Sequence, residues 1–342
     1  MTWDRRGLLL GAGALLVAGC SRPRAGSSTA PGAPTVSPSA TPSSSGPTGS
    51  AEPAPGSSGA SPSAGTSAGG LPGVTAWSAD PNELQPAVKL LATRMLEALG
   101  TWDASSAGTA AAGARLSRLG IDPGLASQAG VLLTGGTAAR LQVIDAQYGG
   151  LLATSASVLV PTRQWVTDAS GAVSQRGWTF DVRLTAGSPA WRVTSVTPSA
   201  PGPATTVDSL ATQVLGSPRI DLPPASRADI AAGQVHDSVL RAMLTLAQTH
   251  TIGVSVVRSG HPTYVFGTSR LSDHPQGRAF DTWRIDGLPV VAASTPRSLV
   301  TGYMAAAAAA GSYNVGGPYA LPGSAFFTDQ THHDHVHAGF ST

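Results

Sequence analysis

The placement of its histidines is the feature that most constrains this chain, because imidazole both binds metal ions and moves protons near neutral pH. All eight histidines follow residue 235, and five of them fall in two short segments. One segment reads Ser272-Asp273-His274-Pro275-Gln276-Gly277-Arg278-Ala279-Phe280-Asp281. The other reads His332-His333-Asp334-His335-Val336-His337. Together the two segments predict a metal site that is built late in the chain.

The spacing within these segments suits zinc. A zinc ion that does chemistry takes three protein ligands of the His, Asp or Glu type and keeps one position open for water. His274 and Asp281 can supply two ligands from one segment, because the small Gly277 between them allows the chain to bend tightly. His337 is the candidate for the third ligand. His335 lies two residues earlier, so on a strand it points to the same face as His337.

The full pattern is Ser-x-His-x-x-Gly-x-Ala-x-Asp, followed later by Asp-x-x-His and His-x-His. It resembles the D-alanyl-D-alanine metallopeptidases, which share a zinc fold with phage endolysin peptidases, penicillin-insensitive murein endopeptidases and the hedgehog signalling domain. The resemblance covers roughly residues 230–342 and implies an α+β zinc peptidase domain over residues 207–342. The residues that match the signature are Ser272, His274, Gly277, Ala279, Asp281, Asp334, His335 and His337.

The resemblance also implies a role for each matching residue. His274, Asp281 and His337 would bind one Zn²⁺ per chain. Asp334 would be the general base that takes a proton from metal-activated water, and His335 would steady the oxyanion or the water.

Two further residues are assigned from the same family. Arg258 follows a predicted strand and corresponds to an arginine that binds a substrate carbonyl or carboxylate, so it is counted with the catalytic residues. Ser272 either positions substrate or braces its loop. The isolated histidines His236, His250 and His261 are interpreted as structural, and His332 and His333 are expected to lie outside the ligand set.

Residues 76–200 are predicted to form a separate α+β domain. Apolar residues recur at helical spacing from Leu84 to Leu99, with Asp80 as a candidate N-cap, Pro81 at the first helical position and Glu83 completing a capping box. A second helix is expected at 104–119, and strands at 141–149, 155–166, 176–185 and 191–197. This order of elements resembles the NTF2-like folds. Because no histidine or cluster of ionisable side chains falls here, we interpret the domain as a non-catalytic module.

Three elements are predicted in the zinc domain: a helix over about 228–250, a buried strand at 252–257 and a helix over about 295–310. The fold class predicted for the whole chain is therefore α+β, with two α+β domains.

The N-terminus predicts an export signal. Arg5 and Arg6 precede an apolar run, as in a twin-arginine signal, and the run ends in Val17-Ala18-Gly19-Cys20, which resembles a bacterial lipobox. Residues 1–20 are therefore predicted to be a lipoprotein signal peptide with Cys20 as the lipidated residue. The run is too short to span a bilayer, so the lipid is the only expected membrane attachment.

Residues 21–75 are almost entirely Ser, Pro, Gly, Ala and Thr. Such a composition cannot bury enough apolar surface to offset the entropy of ordering, which predicts a disordered linker. The predicted lipoprotein signal peptide and the linker together place the folded domains on the outer face of the bacterial cytoplasmic membrane.

The charge balance bears on partners. Lys and Arg number 21 and Asp and Glu number 19, a net charge of +2, which gives no electrostatic reason to expect nucleic acid as a partner. Combined with the motifs, the sequence predicts a lipid-anchored zinc metallopeptidase that hydrolyses amide bonds of peptidoglycan stem peptides, as a D-Ala-D-Ala carboxypeptidase or an endopeptidase. The alternative is a non-catalytic zinc-containing lipoprotein that binds the wall or a partner. The presence of Asp334 favours the enzyme, because a binding module does not need a general base.

Overall fold

The computed structural model describes residues 70–188 and 190–342. Within these ranges the chain has six α-helices and two sheets, so the predicted α+β class is confirmed. The predicted signal peptide, with Cys20, and residues 21–69 of the predicted linker lie outside the described residues. In the described ranges, no helix combines the length and the apolar character that a membrane crossing requires.

The first half of the described chain, residues 76–200, packs helices against an antiparallel sheet. Its elements are α1 (Pro86–Gly100), α2 (Thr109–Arg118), β1 (Ala138–Val143), β2 (Gln147–Leu151), β3 (Ser155–Thr167), β4 (Val173–Arg176), β5 (Thr179–Thr185) and β6 (Arg192–Pro198). The long strand β3 is the centre of the sheet, since it pairs with β1, β2, β4 and β5, and β6 follows β5.

The alternating pattern of β5 decides which of its residues face the hydrophobic core, although the strand is buried on both faces over residues 179–182. Phe180, Val182 and Leu184 point into a hydrophobic core that they share with Met95 and Leu99 of α1. Because successive strand residues point to opposite faces, this core lies on one side of the sheet.

The start of α1 differs from the prediction. The helix begins at Pro86, and Asp80 caps a turn in front of it, in which Asn82 N donates to Asp80 Oδ1 (2.9 Å) and Glu83 N donates to Asp80 O (3.0 Å). The Glu83 side chain does not complete a capping box, because it turns inward and pairs with Lys89. A buried charge partner therefore outweighs the local capping signal.

The second half, residues 207–342, surrounds a mixed sheet with four helices. Its elements are α3 (Ser209–Gly216), β7 (Ile220–Asp221), α4 (Pro224–Ala231), α5 (Asp237–Ala247), β8 (Ile252–Val256), β9 (Ala279–Ile285), β10 (Leu288–Pro289), α6 (Arg297–Ala309), β11 (Asn314–Gly316), β12 (Phe326–Phe327) and β13 (Val336–Gly339). The strand order is β12-β11-β13-β9-β8-β7, and β10 pairs with β9.

Strand β8 and helix α6 match the predicted strand at 252–257 and the predicted helix at 295–310. The single helix predicted at 228–250 is instead two helices, α4 and α5. Gly233 separates them, because its φ of 66° lies in the left-handed region and ends α4. The chain then turns so that His236 N donates to Gly277 O (2.9 Å), which ties the start of α5 to the loop that precedes β9.

Candidate metal centre

Two neighbouring strands bring the histidine segments together. In the antiparallel pair β9 and β13, His337 lies directly opposite Asp281. His274 lies in a short 3-10 turn before β9, and Gly277 closes that turn with a φ of 71° while its N–H donates to His274 O (2.8 Å). A Cβ atom on Gly277 would stand 2.1 Å from Gln234 O, so only glycine fits. The sequence pattern folds in this way because the small residue permits the tight bend.

Three candidate ligand atoms converge at this point. His274 Nε2 lies 3.1 Å from Asp281 Oδ1 and 3.2 Å from His337 Nδ1, and His337 Nδ1 lies 2.9 Å from Asp281 Oδ1. All three side chains are buried. Ligand atoms around a tetrahedral zinc ion at about 2.0–2.1 Å lie about 3.3 Å from one another, so the spacing suits a metal ion.

The hydrogen bonding of His274 strengthens this interpretation. Its Nδ1 lies 2.8 Å from Val257 O, which can only accept, so Nδ1 carries the proton. In the neutral ring Nε2 then presents a lone pair to the Asp281 carboxylate. Two acceptors this close repel each other unless a proton or a metal ion lies between them, and a donor set of two imidazole nitrogens and a carboxylate oxygen fits a divalent cation.

His261 also belongs to the cluster. His261, His274 and Asp281 form a group that could hold a metal ion. The His261 ring stacks on His274 with ring centroids 4.1 Å apart, and its Nδ1 donates to Pro262 O (2.9 Å). The sequence interpretation of His261 as a structural histidine missed this placement, because no fixed spacing links the loop after β8 to the motif of His274.

Asp334 lies outside the metal cluster, that is, the candidate ligands His274, Asp281 and His337 with His261. Its Oδ1 lies 2.6 Å from His335 Nδ1, and its Oδ2 lies 2.6 Å from Lys89 Nζ and accepts a hydrogen bond from Tyr148 N (3.0 Å). Burial acts to raise the pKa of Asp334, but the Lys89 ammonium and His335 outweigh it and lower that pKa to about 2. Asp334 lines a neighbouring cavity of about 300 Å³ together with Glu83, and not the cavity of the metal cluster.

His335 stands between Asp334 and the cluster. Because Nδ1 faces the Asp334 carboxylate, Nε2 faces Asp281, 3.7 Å from its Oδ2. Burial acts to lower the pKa of His335, but the Asp281 and Asp334 carboxylates raise it above its ordinary value. His335 therefore has one nitrogen fixed by a carboxylate and the other directed at the cluster, the arrangement of a proton-transferring histidine.

The cluster opens into a cavity of about 490 Å³ to which both halves contribute. Tyr148 and Leu151 of β2 form part of its wall, and Phe266 and Phe327 of the second half add apolar surface. Most of the other lining residues are polar or charged, among them Arg270, Asp329 and Gln330, so the cavity offers a ligand hydrogen-bonding groups as well as apolar surface.

Two predicted site residues differ in their relation to this cavity. Ser272 lines it and is buried, with its Oγ 3.4 Å from both His261 Nδ1 and His274 N. Arg258 does not line it, and its Nη1 lies 3.8 Å from Asp229 Oδ1. The arginine that does line the cavity is Arg270, which the sequence analysis did not single out.

No protein-family model and no curated protein matches the chain. Among solved structures, the chain is similar to an IcmL-like type IV secretion system protein from Legionella pneumophila, with 14% sequence identity and a TM-score of 0.23. The match covers 37% of this chain and 100% of that protein. A likeness at this TM-score carries no functional argument, so the interpretation of the site depends on its geometry.

Proposed function

We propose that the chain is a zinc metallopeptidase of the bacterial envelope that hydrolyses amide bonds in peptidoglycan stem peptides. The observation that carries the proposal is the convergence of His274, Asp281 and His337 in a cavity that His335 also lines. Three His and Asp ligands next to open space form the donor set of a hydrolytic zinc site. His261 lies close enough to be a further ligand.

When bound, zinc polarises a carbonyl group and lowers the pKa of water to about 7. The protein's own contribution is proton transfer. We assign this role to His335, whose Nε2 faces the cluster, and we assign to Asp334 the role of holding the His335 ring in place. This differs from the expectation that Asp334 is itself the general base, because its carboxylate is already engaged by Lys89 and Tyr148 N.

The choice of peptidoglycan is supported by sequence features. The signature from Ser272 to His337 resembles that of the D-alanyl-D-alanine metallopeptidases, and we infer their fold for the second half and an NTF2-like fold for the first. The predicted lipid anchor at Cys20 and the linker would place the site in the wall. Arg270 at the cavity is a candidate partner for a substrate carboxylate, as a carboxypeptidase would need.

One observation favours the second candidate function, a zinc-containing lipoprotein that binds the wall or a partner without cleaving it. The acidic residue of the signature, Asp334, is paired with Lys89 in a buried position and does not line the cavity. A protein that only binds peptides does not need a general base, so this pairing would not impair its function.

Mass analysis of muropeptides distinguishes the two functions. Purified full-length chain would be loaded with zinc and incubated with muropeptides, with and without a zinc chelator. A peptidase gives new products that disappear with the chelator, and their masses identify the bond that is cut. Zinc-loaded protein that releases no product contradicts the peptidase and supports the binding function.

A further inference from the structure

The first half of the chain reaches directly into the metal cluster. Gln147, the first residue of β2, is buried, and its Nε2 donates to Asp281 Oδ2 at 2.6 Å. Ser255 of β8 donates to Gln147 Oε1, which fixes the orientation of the amide. Since a carboxylate oxygen can only accept, the nitrogen of Gln147 must face Asp281.

Because of this contact, the two Asp281 oxygens have different partners. Oδ2 accepts the hydrogen bond from Gln147, whereas Oδ1 is the oxygen that lies within 3.1 Å of His274 Nε2 and 2.9 Å of His337 Nδ1. Gln147 therefore holds the carboxylate plane so that one defined oxygen points at the cluster. Without it, the buried carboxylate could rotate and offer either oxygen.

A second contact from the first half acts on the same centre. Lys89 of α1 pairs with Asp334, which in turn holds His335. Leu151 N of β2 also donates to Thr331 Oγ1 (3.1 Å), so the strand that carries Gln147 is fixed against the loop that leads to β13.

We propose that the first half is a component of the metal centre and not a separate module, with Gln147 as the positioning residue for Asp281. Partners that orient metal ligands in this way commonly change metal affinity by about 10- to 100-fold when they are removed. The inference extends the proposed function by adding a residue to its metal site, but zinc binding tests it without any measurement of hydrolysis.

The test compares zinc affinity in the full-length parent and in Gln147→Met, which keeps the side-chain length and removes the donor. Competition with a chromophoric chelator measures the affinity for the zinc ion, with no peptide present. We expect Gln147→Met to bind zinc about 10- to 100-fold more weakly. The absorption spectrum of the cobalt-substituted protein should change as well, because the carboxylate ligand is no longer fixed.

Gln164→Met is the matched control. Gln164 of β3 is equally buried in the same half, but its Nε2 donates to Gly100 O (2.8 Å) and Leu132 O (2.9 Å), away from the cluster. We expect this variant to lose stability and to keep the parent's zinc affinity and cobalt spectrum. A purely structural role for Gln147 predicts the same behaviour for both variants.

Equal zinc affinity and equal cobalt spectra in Gln147→Met and the parent would overturn the inference and leave the proposed function intact. Parent protein that binds zinc but cleaves no muropeptide would end the proposed function and leave the inference intact. If Gln147→Met does not fold, Ser255→Ala replaces it, since it removes the hydroxyl that holds Gln147. Its expected loss is roughly 2- to 10-fold in zinc affinity, the equivalent of one neutral hydrogen bond, and an unchanged affinity overturns the inference.

Discussion

Lys89 Nζ lies 2.6 Å from Asp334 Oδ2, and the side chains of both residues are at most 3% exposed. Lys89 is the only lysine of the chain, and it also pairs with Glu83. One buried cation from α1 therefore contacts two buried carboxyl groups, one of which holds a histidine of the candidate site. This relationship links the stability of the first half to the geometry of the second.

Replacing Lys89 by methionine should destabilise the protein strongly. The substitution leaves Glu83 and Asp334 buried without a cation, and breaking a buried pair in this way costs about 3–5 kcal/mol. Urea unfolding at pH 7 measures the effect. Arg94→Met, at an exposed position of the same helix, should change the free energy of unfolding by no more than about 0.5 kcal/mol. Equal effects of the two substitutions would contradict the importance of the pair.

Glu83 should make stability depend on pH. Burial raises its pKa to about 7, against the opposing effect of Lys89, whereas the ordinary value is 4.5. A carboxyl group whose pKa is raised on folding favours the folded state below the ordinary pKa, and this contribution is lost as the pH rises to about 7. Glu83→Gln should therefore gain stability relative to the parent between pH 4.5 and 7, by up to roughly 3 kcal/mol for a shift of this size.

Urea unfolding of both proteins across that pH range measures this difference. The control is Asp237→Asn, which removes an exposed carboxylate that pairs with Arg241. A constant difference between Glu83→Gln and the parent over the whole range would show that Glu83 does not titrate in this way.

Some of these features could be predicted from the sequence, because their signals are local. The alternation of Phe180, Val182 and Leu184 predicts a half-buried strand, and the structure buries these three residues. Thr179 and Asp181 on the opposite face are buried as well, so the prediction of an exposed face is wrong there. The ligand candidates His274 and Asp281 are close in sequence, and a glycine between them marks the bend. His337 lies far along the chain, but it is recognisable from the motif around it.

The supporting residues could not be predicted, for a physical reason. Gln147 is a neutral polar residue in a short strand, and its role depends on Asp281, which is distant in sequence. Lys89 lies at a helical position where its contact with Asp334 is set by tertiary packing alone. The same packing turns Glu83 inward and delays the start of α1, so tertiary contacts override the capping signal there.

Zinc should stabilise the protein, and chelation should reverse the effect. A ligand that binds only the folded state adds about 2.7 kcal/mol when its free concentration is 100 times its Kd. Thermal unfolding with zinc and with a chelator should therefore give a higher Tm with zinc. His274→Ala should abolish the difference, whereas His250→Ala, at a histidine that pairs with Asp286, should keep it. A zinc-dependent Tm in His274→Ala would exclude this histidine as a ligand.

His335 and Asp334 should contribute to hydrolysis in different ways. Loss of a general acid–base group lowers the rate by about 10²- to 10⁴-fold, so His335→Ala should reduce kcat by that amount and retain zinc. Asp334→Asn should cost less in kcat, about 10- to 100-fold, because it acts on hydrolysis only through the His335 ring. It should also destabilise the fold, since Lys89 loses a buried charge partner. The measurement is kcat on a muropeptide, with bound zinc determined in the same samples. The control is His333→Ala, since the Nε2 atom of His333 contacts Asn82 O. A larger loss in Asp334→Asn than in His335→Ala would return the general-base role to Asp334.

Replacing Arg270 should weaken substrate binding, whereas replacing Arg258 should reduce stability. Arg270 lines the metal cavity, so Arg270→Ala should raise KM for a peptide with a free carboxyl terminus by about tenfold, since a charge-assisted hydrogen bond contributes about 1.5–3 kcal/mol. A peptide amide should be affected much less. Arg258 lies near Asp229, whose side chain is fully buried, so Arg258→Ala should reduce the free energy of unfolding by about 1–3 kcal/mol and leave KM unchanged. The opposite result, a KM effect in Arg258→Ala alone, would restore the substrate role that the sequence predicts for Arg258 and would require Arg258 to reach the cavity when substrate binds.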